Sequence, residues 1–285
     1  MLKIMVTGAT GNVGFEVIRL LQEHNCHICA AVRNPNQAKQ QILGNNIDFV
    51  QFDFTNSDTW TNAFEKVNKL FLVRPPNLAN VRKQIAPVLN AAKLSGVEQV
   101  VFFSIQGAER NRIVPHSKIE RYINKLGIPA TFLRAGFFMQ NLSTVHREDI
   151  KTRGELFMPA GKGITSFIDV RDIAAVAVRA LIENGHSSRA YTLTGSEALT
   201  YYQVADIFTE VLGKPIRYAK PSVLNFIFQM RARGLPMSYV LVMVGIYTTA
   251  RLGLAGNITS DVEQLLGRPP LTMRQYVEDY RHLWL

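Results

Sequence analysis

The sequence predicts an α/β fold, a Rossmann-type doubly wound parallel sheet joined to a smaller, mainly helical C-terminal region. Three observations carry this. A glycine-punctuated turn opens the chain between Lys3 and Gly14, apolar strand-like runs alternate with helical stretches as far as residue 135, and from Pro221 onward the pattern is almost wholly helical.

The strand-like runs are Lys3 to Val6, His27 to Val32, Asp48 to Phe52, Lys69 to Val73, Gln99 to Phe103 and Ala130 to Arg134. Four are plainly apolar with β-branched or aromatic residues, as strands covered on both faces require. Helical stretches separate them: Phe15 to Gln22, Asp58 to Val67 with Asp58 near its start, and Asn80 to Ser95, which Gly96 ends. After residue 135 the alternation decays into strand-like pieces at Tyr191 to Thr194 and Ile216 to Ala219. Helices are expected over Val170 to Glu183, Tyr202 to Leu212 and Thr272 to His282. No Pro-, Gly- or Ser-rich linker and no repeat interrupts the chain. The expected organisation is a dinucleotide-binding domain over 1–150, with 165–195 packing back on it, and a C-terminal substrate-binding region over 151–285 directly against the sheet.

Composition narrows the function class. With 285 residues, 47% hydrophobic and 19% charged, the chain can bury a sizeable core and is not disordered. The apolar stretch Tyr239 to Tyr247 falls far short of the ~20 residues a membrane span needs. No secretory leader pattern is visible, so a cytoplasmic location is expected. The formal charge of +10 is spread, with 17 Lys and Arg against 11 Asp and Glu in residues 1–150 and 15 against 11 in the remainder. Without a dense basic run this reads as a surface that favours small anions, and no nucleic-acid partner is expected. Cys26 and Cys29 form C-x-x-C, but residues three apart on a strand face opposite ways and no second pair completes a metal site. Two reduced, buried thiols and no metal are expected.

The opening loop carries the first ligand signal. Glycines at 8, 11 and 14 let the backbone turn, approach a ligand and pack the next helix, whose N-terminus offers unpaired N–H groups to a phosphate. Gly8, Ala9, Thr10, Gly11, Asn12, Val13 and Gly14 are therefore the candidate cradle for a dinucleotide, spaced G-x-x-G-x-x-G. About 20 residues beyond, where an NAD-binding fold places a carboxylate for the ribose 2′-hydroxyl, stands Arg33. A guanidinium pairs with a 2′-phosphate by two charge-assisted bonds, so NADP(H) is preferred over NAD(H), with Asn34, Gln37 and Lys39 as added polar contacts.

Ligands on such sheets bind beyond the carboxyl ends of the strands, which selects the next candidates. Asp53 and Phe54 end the third strand, where they either meet the adenine or start the turn into the next helix. Val73, Arg74 and the two following prolines form a stiff corner, either a wall beside the nicotinamide ribose or simple loop stiffening. Ser104 follows the fifth strand, and Lys118 sits where a short-chain dehydrogenase keeps its lysine. The tyrosine four residues earlier in that scheme is Val114 here, which transfers no proton. His116 is either a proton donor or a capping residue at a helix start. Asp169 and Asp172 resemble an acid-base pair, but their place at a helix start makes them structural.

With these residues in place the chain resembles the NmrA-like group of atypical short-chain dehydrogenases, which includes NADPH-dependent quinone, triphenylmethane-dye and azo-type reductases. The match runs nearly end to end. Its most specific pieces are residues 7–14, Arg33, and the segments 127–141, 167–177 and 265–280. The resemblance implies a loop after the sixth strand in which Ala135, Gly136, Phe137 and Phe138 line the cofactor, and Phe138, Met139 and Asn141 face the substrate. It carries Lys118 over as the residue beside the nicotinamide ribose. The expected function is hydride transfer from NADPH to a flat, conjugated acceptor such as a quinone or dye, by a monomer or homodimer. Lys118, Ser104 and His116 are the catalytic candidates. Phe137, Phe138 and the Met-rich stretch from Phe226 to Tyr247 are expected to supply an apolar pocket, the stretch being equally readable as core or dimer face. The alternative is a non-catalytic, NADP(H)-binding redox sensor, which the missing tyrosine favours.

Overall fold

The computed structural model describes Met1–Leu285, and the chain divides into two compact units, Met1–Ala135 with Val170–Leu193 and Gly136–Asp169 with Thr194–Leu285.

The first unit is built on β1 (Leu2–Thr7), β2 (Cys26–Val32), β3 (Ile47–Gln51), β4 (Lys69–Leu72), β5 (Gln99–Ile105) and β6 (Ala130–Ala135). With the strand Arg189–Leu193 they form one seven-stranded sheet ordered β3-β2-β1-β4-β5-β6 and then Arg189–Leu193. All neighbours are parallel. The order reverses at β1, the topological switch point at which this architecture places its ligands. Leu70, Leu72, Val100 and Phe102 alternate along β4 and β5 toward one face and join Val88, Leu89, Ile119 and Ile123 of two helices, Ala86–Leu94 and Pro115–Leu126, in a single core. On the other face α1 (Asn12–Leu21) packs with the helix Val170–Ile182.

Side-chain bonds sew the late segment onto the early sheet. Lys69 Nζ donates to the Leu181 carbonyl at 2.8 Å, and Thr131 Oγ1 to the His186 carbonyl at 2.8 Å. The compact units part at Ala135, and the segment that returns to the first unit is 170–193. Residues 136–150 go with the second unit because Phe137 to Met139 bond to its own backbone, Ile168 N donating to the Phe137 carbonyl at 3.0 Å and Met139 N to the Ile168 carbonyl at 2.8 Å.

Two expected helices are shorter than their patterns. Asn80 to Ser95 breaks into Val81–Gln84 and Ala86–Leu94, because Pro87 has no N–H to give the carbonyl one turn back. Asp58 to Val67 reduces to a 3₁₀ turn, Ser57–Thr59, and the single turn Trp60–Ala63. Both cysteines lie on β2, reduced and buried. Cys26 Sγ donates to the Leu21 carbonyl and Cys29 Sγ to that of Ala63, and burial pushes the Cys29 thiol up to about 12.

The second unit is mainly helical, with helices Tyr201–Leu212, Val223–Ala232, Met237–Arg251 and Met273–Asp279. Two small pairings complete it: Ile164–Ser166 antiparallel to Ala198–Thr200, and Arg217–Tyr218 parallel to Glu155–Leu156. Its core gathers Phe226, Met230, Val240, Met243 and Tyr247 with Phe167, Tyr201, Phe208 and Trp284. One side of the Met-rich stretch is thus core.

Candidate functional site

The glycine loop is shaped by close backbone approach. Gly8 stands at φ +64°, and Gly11 N donates to the Gly8 carbonyl at 2.9 Å. A Cβ on Gly14 would lie 2.2 Å from the Gly8 oxygen, so only a glycine lets the first turn of α1 sit on the loop. Gly11 is the N-cap of α1, and no side chain caps that end. Its unpaired N–H groups and the positive end of the helix dipole are free to meet an anion. Ala9 and Val13 are buried under the loop, whereas Thr10 and Asn12 are exposed. Thr7 fixes its base: Val73 N donates to Thr7 Oγ1 at 2.8 Å, tying the ends of β1 and β4 together.

Arg33 follows β2, is exposed and forms no ion pair. Asn34 caps α2 (Pro35–Gln41) by accepting from Gln37 N at 3.2 Å, so Asn34 serves the helix while the exposed side chain of Gln37 stays available. Asp53 accepts from both the backbone N and the Oγ1 of Thr55 at 2.7 Å. Those bonds, with the nearby Arg33 charge, hold its carboxyl below the usual carboxylate range. The turn has taken one carboxylate oxygen. Phe54 is 7% exposed and packs edge-on to Phe52 at 5.0 Å. Its ring packs in the core of the first unit.

Arg74 stiffens the loop after β4. Its Nη1 donates to the carbonyls of Pro75, Pro76 and Leu78 at 2.8, 3.1 and 3.0 Å. His116 stacks on Phe102 at 5.9 Å, and burial together with the Arg74 charge pushes its imidazole down to about 3. At neutral pH it carries no proton to give as an imidazolium.

Ser104 is fully buried and turned inward. Its hydroxyl donates to Glu120 Oε1 at 2.6 Å. Arg134 grips the same carboxylate, Nε to Oε1 at 3.1 Å and Nη2 to Oε2 at 2.7 Å, and its Nη1 lies 3.4 Å from Glu109. Ser104 therefore positions the ends of β5 and β6 and is not an exposed catalytic hydroxyl. Lys118, in the first turn of Pro115–Leu126, is exposed and makes no ion pair. Val114 is the N-cap of that helix.

In the second unit Gly136 directly follows β6 in the chain. Phe137 packs edge-on to Phe167 at 5.4 Å and against Tyr247 at 5.8 Å. Phe138 bridges to Ile168 and remains partly exposed. Met139 is 2% exposed, packs in the core and, with Phe167, Leu199 and Met273, lines a small cavity of the second unit. Asn141 is half-buried, its backbone N donating to the Phe138 carbonyl at 3.3 Å. The Gln140 amide donates to Asp169 Oδ1 at 2.9 Å, the structural use expected of that acid.

The topology thus brings the glycine loop, Arg33, Asp53 and Arg74, which follow the carboxyl ends of adjacent parallel strands, and Ser104, the penultimate residue of β5, to one edge of the sheet. Sequence reasoning missed Thr7, Glu120, Arg134 and the buried pair His146–Tyr247. Glu120 carried a signal: it falls beside Ile119 and before Ile123 on the apolar side of an amphipathic helix, where a carboxylate requires a partner. His146 Nε2 shares a hydrogen bond with the Tyr247 hydroxyl across 101 residues. Burial pushes that imidazole down to about 4, and no local pattern announces such a pair.

The model of a family described as NmrA-like matches residues 2–265. An NAD(P)H azoreductase from Xenophilus azovorans is 33% identical over 281 residues, covering 96% of this chain and 96% of its own. Among solved structures, the NADPH-dependent quinone oxidoreductase of Escherichia coli in complex with NADPH has a TM-score of 0.87 at 29% identity, over 98% of this chain and 99% of that one. The triphenylmethane reductase of Citrobacter sp. complexed with NADP(H) has a TM-score of 0.85 at 26% identity, over 96% and 98%.

Proposed function

The chain belongs to the NmrA-like family and is an NAD(P)H-dependent oxidoreductase, and from that premise we propose that it reduces a flat, conjugated acceptor such as a quinone or dye with NADPH in preference to NADH. NADPH, when bound, supplies the hydride. The uncapped first turn of α1 holds the pyrophosphate, over a loop that Gly14 keeps open. Arg33, exposed and unpaired, takes the 2′-phosphate. Lys118 offers its ammonium to the nicotinamide ribose and to the negative charge that develops on the acceptor oxygen. Gly136, Phe137 and Phe138 are assigned to the cofactor side, and Phe138 with Asn141 to the acceptor. Relatives that carry NADP(H) and are named for azo, quinone and triphenylmethane substrates support this class.

One observation selects the acceptor chemistry. Ser104 is committed to Glu120, Val114 stands at the tyrosine position, and His116 is neutral. None of the three supplies a proton to a reduced acceptor. The reduced acceptor must therefore need no enzyme acid: a quinone leaves as a phenolate that water protonates, which a simple alkoxide does not match, and a cationic dye leaves as a neutral product. The same lack of an acid favours a second reading, a regulatory protein that binds NADP(H) without consuming it.

Mixing the chain with NADPH and a panel of quinones, triphenylmethane dyes, azo dyes and enones separates the two. NADPH absorbance is expected to fall with hyperbolic dependence on acceptor. Arg33→Asp is expected to weaken NADPH binding by about 10- to 100-fold while leaving NADH nearly unchanged. Cofactor binding with no consumption across the panel would establish the regulatory reading instead.

A further inference from the structure

The helical hairpin of the second unit has an outer surface that the reductase reading does not use. Its helices, Val223–Ala232 and Met237–Arg251, are joined by four residues, the short connection of an antiparallel pair. Each buries one side: Phe226 and Met230 from the first helix, Val240, Met243 and Tyr247 from the second. Their other side is apolar as well. Leu224 and Phe228 are 79% and 74% exposed, and Leu241, Val242 and Ile246 are 54%, 50% and 42% exposed. Of the seventeen large apolar side chains exposed on the whole chain, nine lie between Leu224 and Ile258, so they form a concentration rather than the usual scatter.

The charge of the same stretch is one-sided. Residues 211–260 contain no Asp or Glu and six Lys or Arg. Arg217 is paired with Glu155 and Arg233 with Asp149, but Lys220, Arg231 and Arg251 meet no carboxylate. Lys220 precedes the first helix and Arg251 ends the second, so both lie at the open end of the hairpin, while Arg231 lies near its connecting turn. Apolar side chains are flanked by positive charge at both ends.

We propose that this hairpin face docks on an anionic lipid bilayer surface. Charge decides between that partner and a second copy of the chain. A two-fold dimer through this face would set the same uncompensated cations against themselves. Anionic headgroups neutralise them while Phe228, Leu241 and their neighbours enter the headgroup–acyl boundary, the interfacial mode in which basic and apolar surfaces act together. The chain lies on the surface and does not cross it, since no helix is long and apolar enough to span. Each unpaired basic residue is worth about a fivefold gain in partition near such a surface. Nothing in the proposal depends on the acceptor.

Flotation of the full chain with vesicles tests it. The chain is expected to float with vesicles of phosphatidylcholine containing about one-third phosphatidylglycerol, not with phosphatidylcholine alone, and to be released as salt rises from about 0.1 M to about 1 M. Phe228→Ser with Leu241→Ser, and separately Lys220→Glu with Arg231→Glu, should each cut the partition at least about tenfold with NADPH affinity unchanged. Leu94→Ser, exposed on the other unit, should leave it intact. No flotation with anionic vesicles, or flotation indifferent to both double variants, overturns the proposal. So does a concentration-dependent dimer that Phe228→Ser with Leu241→Ser dissolves, which would give the face to a second copy.

Discussion

Replacing Gly14 by alanine tests whether backbone contact, rather than glycine flexibility, shapes the cofactor loop. An added Cβ lies 2.2 Å from the Gly8 oxygen and 2.7 Å from the Gly8 carbon, against the roughly 3.3 Å of an ordinary carbon–oxygen contact. The loop and α1 must separate by about 1 Å. A gap of that size forfeits up to half the contact energy of the atoms it parts, and overpacking of this kind costs about 1–3 kcal/mol. Val13, Val17, Ile18 and Leu21 anchor the buried side of α1 and resist the movement. Higher helix propensity returns up to about 1 kcal/mol, leaving a net loss of about 1–2 kcal/mol. The amides proposed to hold the phosphate move with the helix, so NADPH affinity is expected to drop by at least about tenfold, or 1.4 kcal/mol. Gly11→Ala is the control. Its Cβ meets only the Gly8 oxygen, at 3.3 Å, and Gly11 has an ordinary extended conformation with φ −88°. At this N-cap, where alanine is poorer than glycine, the variant should lose about 0.5–1 kcal/mol of stability but leave α1 in place and NADPH affinity within about twofold. Urea unfolding and fluorescence titration with NADPH read the two quantities. Unchanged affinity and stability in Gly14→Ala, or equal losses in both variants, would refute the steric reasoning.

Three further outcomes follow from the buried polar groups. Glu120→Ala strands Arg134 and the Ser104 hydroxyl, and should cost about 3 kcal/mol in urea unfolding, softened from the upper range by Glu109; Glu120→Gln, which keeps the acceptor oxygen, should cost less. Because burial holds His146 at about 4 against an ordinary 6.5, the unfolded chain takes up a proton below pH 6.5 that the folded chain refuses. Stability is therefore full above pH 6.5 and falls as pH drops toward 4. This residue contributes a loss of about 2 kcal/mol at pH 5, and His146→Gln should flatten the difference between pH 7 and pH 5 by that amount. With His116 at about 3, quinone reduction at saturating substrate should be flat between about pH 6 and pH 8, and His116→Gln should keep it flat; a limb near 6.5 that the variant abolishes would restore His116 as a proton donor.

Much of the architecture was legible because its causes are local. Alternating apolar residues in β4 and β5 need no partner to announce a covered sheet, and the glycines at 8, 11 and 14 announce a turn before a helix. Pro87 was equally visible, and its missing N–H foretells the break that the apolar pattern of 80–95 concealed. The unit boundary was not legible. The second unit begins at Gly136 because Phe137 to Met139 bond to Ile168, a pairing between segments some thirty residues apart.

The sequence by itself determined a parallel sheet, a glycine-punctuated turn before a helix, a guanidinium where a carboxylate stands in NAD-binding folds, and the lack of a tyrosine before Lys118. These follow from residue type and spacing along one stretch of chain. Only the tertiary structure decided that Ser104 serves Glu120, that Phe54 and Met139 belong to the core, that His116 is neutral, and that His146 meets Tyr247. Burial and hydrogen-bond partnership are properties of what folds against a side chain. A hydroxyl, an imidazole or a thioether reads the same in the sequence whether it faces a ligand or a neighbour one hundred residues away.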